Sequence, residues 1–486
     1  MSDSVKKFKR FRMIVPSFPN AGIFSRFTRR ITSLGAVIVA TIVDKCLPNW
    51  TAEIIDENNY RKGPCLLDGS VDHAALQKEA PADAVGFYCG LSSTMPRVWR
   101  LAEFYKSQGI LTIAGGCHVC FDPQESLARN IDVVIDGDGE EAILDILKKW
   151  DAGMEVKGAV EAGLVDLNGW PAPDFGLLRF AKINIYPIGR IRGCAMKCEF
   201  CCVKEKPRWA QAEQLFQTIN WLVDTRRAKS FFVTDDRIEE DREGYIQFFQ
   251  MIREKYGSRL RFTVQVRLEA ARDAELIEAM KMAGVRHVCI GFESPIKEEL
   301  LVMRKGLSVE SMIENARIWS KNFFVHGMFI FGYPLKQAAS IPYNERIRQF
   351  KRFIRKCRID TIQILRPAPL IGTELRRRLE ESGQLFPLET VGWERYDGNF
   401  ACFRPTNMTL RQLQYGPTKI MLGFYHWWAR IRLPFRTVMM PFSYLVIGWG
   451  SWYRGWWNDV VKVGGHRLLK KWKSMEEQYL KSLEMQ

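Results

Sequence analysis

Residues 183–202 read INIYPIGRIRGCAMKCEFCC, an apolar run that turns into a loop holding Cys194, Cys198 and Cys201. The spacing is C-x3-C-x2-C, with Phe200 just before the third thiol. Three thiolates can hold three corners of a 4Fe–4S cube, which ordinarily takes four ligands. The fourth iron is then open to a ligand that is not protein, and an open iron beside a strong reductant is a place for one-electron chemistry. Two blander readings compete. Three close cysteines could be part of a structural zinc site, which needs four ligands. No pair is placed to complete it: Cys117 and Cys120 have the right spacing but fall in a different part of the chain, and Cys202 adjoins Cys201 too closely. Chance clustering in a reduced protein is the other alternative. The spacing favours the cluster.

The chain around this loop has 486 residues, enough for two or three domains, and 47% apolar residues mark it as globular. Its twelve cysteines lack a disulfide spacing, and the basic opening MSDSVKKFKRFR leads into no secretory apolar segment. Both point to a reducing cytoplasm. The net charge of +16 calls for an anionic partner or surface. Nucleic acid, anionic lipid and a carboxylated substrate all satisfy it.

Upstream, residues 1–150 alternate short apolar runs with helical segments. Arg12–Val15, Glu53–Asp56, Ala84–Cys89, Ile110–Ala114 and Asp132–Ile135 read as strands, and Arg97–Gln108 and residues 137–150 as helices. This alternation implies α/β architecture with a parallel, doubly wound, Rossmann-like sheet. Ligands of such sheets bind beyond the strand carboxyl ends. The glycines there (Gly90, Gly115, Gly116, Gly137, Gly139) either let backbone approach a ligand or simply make turns.

Residues 151–180, with DLNGWPAPDFGLL, read as a linker. Six strand–helix units then follow over 181–385. Their strands are Ile183–Gly189, Ser230–Thr234, Arg261–Arg267, His287–Gly291, Phe324–Phe331 and Thr361–Leu365. They suggest a partial, (β/α)6, TIM-like barrel whose functional residues gather at the strand carboxyl ends. Residues 386–486 form a C-terminal extension, mostly helical, basic and rich in tryptophan.

The motifs at those ends resemble a radical S-adenosylmethionine (SAM) domain: the cysteine loop, Thr234-Asp235-Asp236, Gly291–Ser294 (GFES), Phe331–Pro334 (FGYP), RPAPLIGTEL and WERYDGNFACFRP. The stretches GGCHVCFDPQESL and VVIDGDGEEAI resemble segments of the cobalamin-binding domain that precedes many such domains. The whole pattern is similar to the cobalamin-dependent class, which includes carbon methylases and the anaerobic tetrapyrrole ring cyclase. One departure is that the first loop, PSFPNAGIFSRF, lacks the D-x-H-x-x-G histidine that ligates cobalt in many cobalamin domains. The domain is then expected to bind cobalamin without a histidine ligand or to have lost it, with His118 a loop hydrogen-bonder.

The resemblance implies a 4Fe–4S cluster on Cys194, Cys198 and Cys201, SAM on its open iron, and cobalamin along Gly115, Gly116, Gly137 and Glu140. It implies that the cofactors carry the hard chemistry while the protein positions them. Glu293 is a candidate for the SAM ammonium or ribose, or a strand-end salt bridge. Asp235 and Asp236 would orient SAM or substrate, or cap the next helix. Arg267 would bind the SAM carboxylate or face a barrel carboxylate. Thr234 and Ser294 are further candidates, and Tyr333 and Arg366 either touch substrate or pack. The expected activity is methylation of an unactivated carbon in a large hydrophobic metabolite, a tetrapyrrole or polycyclic lipid. Oxidative cyclisation is the alternative, and the electron donor would be a flavodoxin or ferredoxin.

In the tail, Trp449, Trp452, Tyr453 and Trp456 recur on one helical face, flanked by arginines and lysines. The uncharged run 437–453 holds Pro441, Gly448 and Gly450 and falls short of the ~20 apolar residues of a spanning helix. Tryptophan with cations suits a peripheral membrane contact or a lid over an apolar substrate, and packing on the barrel competes. An RNA-modifying enzyme of this class would carry extra N-terminal cysteines and an RNA-binding barrel. Neither is visible, which disfavours nucleic acid. A non-catalytic iron–sulfur sensor is the remaining rival.

Overall fold

The computed structural model describes residues 8–19, 29–335 and 341–484, apart from the side chains of 443–445 and 447. Most of the first loop, residues 20–27, therefore lies outside the described residues. Contacts divide the chain into two compact units, Met1–Arg192 with Pro207–Asp235, and Gly193–Lys206 with Asp236–Gln486.

The first unit is built on β1 (Lys9–Val15), β2 (Trp50–Asp56), β3 (Ala84–Tyr88), β4 (Leu111–Gly115), β5 (Val133–Gly137) and β6 (Gly158–Gly163). All five pairings are parallel, in the order β2-β1-β3-β4-β5-β6. The order reverses at β1, so a crevice opens between the carboxyl ends of β1 and β3, where such folds bind ligands. Five strands fall where the sequence puts them. The sixth comes from GAVEAG, inside the stretch read as a linker. Its small residues alternate between half-buried and exposed on a sheet edge, so it carries no apolar signal. The helix Leu34–Cys46 also escaped the sequence reading. Its IVATIV run is β-branched and mostly buried, so it lacks the polar face that betrays a helix.

The second sheet holds β7 (Tyr186–Ile188), β10 (Ser230–Val233), β11 (Arg261–Val266), β12 (Val285–Glu293), β13 (Phe324–Ile330) and β14 (Thr361–Leu365), in the order β14-β13-β12-β11-β10-β7. This is the partial barrel sheet. Two details differ from expectation. Strand β7 is short, and the cysteine loop does not follow it directly. A small antiparallel pair intervenes, β8 (Ile191–Arg192) with β9 (Arg208–Trp209). Backbone bonds extend it, because Ala210 N donates to Arg190 O at 2.8 Å. Arg190 Nε returns a bond to Ala210 O at 2.9 Å.

Helices Leu410–Phe424, Ala429–Val438 and Met440–Glu484 follow, the last kinked at Gly448. Arg454 pins the long helix to Asp360 at 2.6 Å. Arg366 is fully buried and pairs with Glu476 of the same helix. It therefore packs the tail onto the barrel, the structural alternative of the two the sequence left open. No helix among the described residues is long and apolar enough to cross a membrane.

Candidate active site

The cysteine loop is closed at its base by backbone. Cys194 N donates to Glu205 O at 3.0 Å. Gly193 has φ +86°, and a Cβ there would lie 2.5 Å from Lys206 O, so only glycine turns the chain into the loop. Within the loop, Cys201 N donates to Cys198 O at 3.2 Å, and Val203 N donates to Cys201 Sγ at 3.4 Å. An N–H aimed at a sulfur is one of the devices that tune a cluster ligand. All three thiols are free. No three His, Cys, Asp or Glu side chains among the described residues converge on a single ion. Burial pushes the Cys201 thiol up to about 11. Burial also raises the Cys198 thiol, while the Lys305 and Arg267 cations pull the other way. A bound iron centre would reverse such shifts outright, so this donor set fits the cluster.

A carboxylate absent from the sequence reading holds the loop in place. Glu199, between Cys198 and Cys201, is buried. Its Oε2 accepts the Tyr333 hydroxyl at 2.8 Å. Arg378 donates to it twice, from Nε at 2.7 Å and Nη2 at 3.1 Å. Arg378 also bonds Pro334 O at 3.0 Å. Burial, with Glu199 beside it, raises the Tyr333 phenol, so Tyr333 stays the donor. Phe200 meets the Tyr333 ring edge-on, centroids 6.2 Å apart. Tyr333 thus anchors the loop. The residues of the latch lie too far apart in sequence for any spacing to reveal them.

At the end of β12, Glu293 adopts φ +59°, a region L-residues seldom occupy and one that clusters at functional sites. Its Oε1 meets Lys305 Nζ at 2.8 Å. Burial lowers the Lys305 ammonium, but Glu293 more than offsets this and the group ends above its ordinary value. Arg267, at the end of β11, pairs with Glu269, and its backbone N–H donates to Glu239 at 2.8 Å. The second Glu239 oxygen is buried with no partner among the described residues. Burial holds that carboxyl above the usual range. Glu239, missed in the sequence, lies in the acid-rich RIEEDRE that follows Asp236. Ser294 is committed elsewhere, donating to buried Glu299, which pairs with Arg346. In the other unit, Asp235 is buried and accepts Arg190 N at 3.0 Å. Thr234 donates to Ile188 O at 3.1 Å. Asp236 is exposed.

The first unit carries a second constellation at its strand ends. Gly116 has φ +125°, and a Cβ there would lie 2.8 Å from the Cys89 carbonyl carbon. His118 Nδ1 sits 2.9 Å from Ser92 Oγ, and Nε2 lies 3.4 Å from Glu125. That is the pattern of a loop hydrogen-bonder. Ser92, Ser93 and Thr94 are buried at the end of β3. The Ser126 hydroxyl is buried without a partner among the described residues. Gly116 is required by the close approach of the Cys89 and Gly90 backbone, and the orphaned Ser126 hydroxyl, on the connection that leaves the carboxyl end of β4, fits a bound cofactor. Backbone of the first loop is tethered to the residues that follow β2, Ser17 N to Glu57 at 2.8 Å and Phe18 N to Asn58 at 2.9 Å. Gly115 and Gly137 end β4 and β5. Glu140 and Asp138 take the Arg192 guanidinium, Asp138 at 2.8 Å.

Residues 188–337 match the radical SAM superfamily and residues 24–147 the B12 binding domain. The chain is therefore a radical SAM enzyme with an N-terminal B12-binding domain. Its cofactors are a 4Fe–4S cluster, SAM and cobalamin. It is 24% identical over 384 residues to an uncharacterised methyltransferase of Pyrococcus horikoshii, across 73% of this chain and 81% of that protein. It is 25% identical over 255 residues to the anaerobic magnesium-protoporphyrin IX monomethyl ester cyclase of Cereibacter sphaeroides. That match spans 46% of this chain and 42% of the cyclase. The fold is shared with the cobalamin-dependent S-adenosylmethionine radical enzyme OxsB, solved with aqua-cobalamin and S-adenosylmethionine bound. The TM-score is 0.63 at 13% identity, over 99% of this chain and 81% of that one.

Proposed function

We propose that the enzyme transfers a methyl group to an unactivated carbon of a large hydrophobic metabolite, a tetrapyrrole or a polycyclic lipid. The observation that carries this reading is the joining, in one chain, of a three-thiol loop to a B12-binding domain. When bound, the cofactors supply one-electron cleavage of SAM and a methyl group for transfer. The protein's own residues hold and orient. Cys194, Cys198 and Cys201 hold the cluster and leave one iron for SAM. Glu293 and Lys305 form an ion pair able to exchange partners with the amino and carboxylate ends of SAM. Arg267 adds a second cation that acts on Cys198. Of the other strand-end candidates, exposed Asp236 is the one left open to SAM or substrate, whereas Asp235 holds the Arg190 backbone and Ser294 holds Glu299. Gly115, Gly116 and Gly137 let backbone approach cobalamin, and Glu140 steadies their loops by holding Arg192. A one-electron donor such as flavodoxin or ferredoxin completes the reaction.

The substrate class is supported by the tetrapyrrole in the name of the Cereibacter relative. The same name favours a second reading, oxidative ring closure without methyl transfer. The test is anaerobic reconstitution with methyl-labelled SAM, dithionite, and candidate chlorins or polycyclic lipids. A product heavier by one labelled methylene unit supports methylation. A product without that gain, formed together with 5′-deoxyadenosine, supports ring closure. No 5′-deoxyadenosine in any mixture sinks both and leaves a non-catalytic iron–sulfur protein.

A further inference from the structure

An apolar stripe at helical spacing normally marks the side of a helix that faces a core. In the tail it faces solvent. Ile431, Phe435 and Val438 follow the i, i+4, i+7 pattern on helix Ala429–Val438. Phe442 and Val446 continue the apolar spacing at i, i+4 on the start of helix Met440–Glu484, and Trp449 is exposed just past the kink at Gly448. All six are between 54% and 78% exposed. The two helices are tied together on another side, where Trp452 Nε1 donates to Arg436 O at 3.0 Å and Trp456 Nε1 to Thr437 Oγ1 at 3.1 Å. The tryptophan face singled out by spacing is therefore divided. Trp452 is buried and holds the pair together, while Trp449 points outward.

Charge selects what covers this stripe. Residues 427–457 contain four arginines and no aspartate or glutamate. Arg432 and Arg436 share one carboxylate, Asp459, at 2.9 and 2.8 Å, which leaves a surplus positive charge. Arg430 is exposed, as are Arg467, Lys470, Lys471 and Lys473 further along. A protein partner would be expected to answer the apolar stripe with a shaped pocket. A lipid surface answers exposed Phe, Trp and Val with acyl chains, and arginines with anionic headgroups, whatever the detailed shape. We infer that helices Ala429–Val438 and Met440–Trp457 form a docking surface for an anionic lipid bilayer, lying in its interface without crossing it. The enzyme would then meet a hydrophobic metabolite where such molecules partition.

The test is flotation of the full-length, anaerobically purified enzyme with vesicles of phosphatidylcholine alone or mixed in equal parts with phosphatidylglycerol. Binding should be at least about tenfold stronger to the anionic vesicles and weaken at high salt. The triple variant Phe435→Ser, Val438→Ser, Trp449→Ser should lose about a hundredfold in partition, roughly tenfold for each aromatic. Its circular dichroism and cluster absorbance should match the parent. Quenching of tryptophan emission by brominated lipid should fall in Trp449→Ser alone. No preference for anionic vesicles, or undiminished binding by the triple variant, overturns the proposal. So does a parent that is dimeric by light scattering and becomes monomeric in the variant, because a second copy would then cover the stripe.

Discussion

Replacing Glu199 with glutamine keeps the side chain's size and removes its charge, which isolates what the latch does for the cysteine loop. Arg378 loses two charge-assisted hydrogen bonds, each stronger than its neutral counterpart by about 1 kcal/mol. The new amide N–H groups also face donors, at a further cost of up to about 1 kcal/mol. Breaking a fully buried pair costs roughly 3–5 kcal/mol. The Arg378 side chain is 18% exposed, so water recovers part of that. The expected loss is about 2–3 kcal/mol. All three cysteines survive the substitution, so the cluster spectrum should keep its form. What changes is how often the loop opens: about 30- to 150-fold more at this free energy. Iron loss to a chelator under anaerobic conditions follows that open population when opening is fast, so chelation should accelerate by the same factor. The melting temperature of the unit bearing the loop should drop by roughly 5–10 °C. Tyr333→Phe removes one hydrogen-bond donor to Glu199 and should accelerate iron loss only about fivefold. Chelation within twofold of the parent in Glu199→Gln, with an unchanged melt, would refute the latch.

Two other expectations rest on single residues. Gly193→Ala places a Cβ 2.5 Å from Lys206 O at φ +86°, so the purified protein should hold little iron or acid-labile sulfide although all its cysteines are intact; normal iron content would show that the loop closes some other way. Glu57 is buried, and although burial opposes its charge, His73 and Arg97 hold its carboxyl down at about 2, against an ordinary value of 4.5. A folded value below the unfolded one means that the stabilisation is complete above about pH 4.5 and is lost as pH falls toward 2; it amounts to about 3 kcal/mol. Urea midpoints of the parent should therefore fall across that window, and those of Glu57→Gln should start lower and fall less; parallel curves would exclude Glu57 as the source.

The cysteine loop was legible because its information is local. Cys194, Cys198 and Cys201 lie within eight residues, and the ligand spacing survives in one dimension. The strands were legible for a similar reason, since β3, β4 and β5 are short apolar runs between turns. What the sequence withheld is what folding alone brings together. Tyr333 lies 134 residues from Glu199, and Arg378 lies 179 residues from it. Each looks ordinary in its own segment, one in a strand-end motif and the other in a run of arginines. Arg366 and Glu476, 110 residues apart, are hidden in the same way.

The tail shows a different limit. Periodicity there reports that Ile431, Phe435 and Val438 share a face, and that part is physical and local. Whether such a face meets a core depends on whether another element of the chain arrives to cover it. On the helix Tyr343–Cys357 one does: Ile347, Phe350 and Ile354 share a face at i, i+3, i+7 and are buried, with the Phe350 ring tilted against Phe329 and Phe331. The two stripes are alike as sequence and opposite in exposure. What separates them in advance is the rest of the helix surface. The Tyr343–Cys357 helix is strongly polar on its other faces, as a helix needs to be when it is to be soluble after one side is buried. Residues 427–457 have arginines but no acidic residue and put tryptophan on several faces. A helix pair with too little polar surface to stay in water on all remaining sides, and charge of one sign only, is better matched to an anionic interface than to the inside of its own protein.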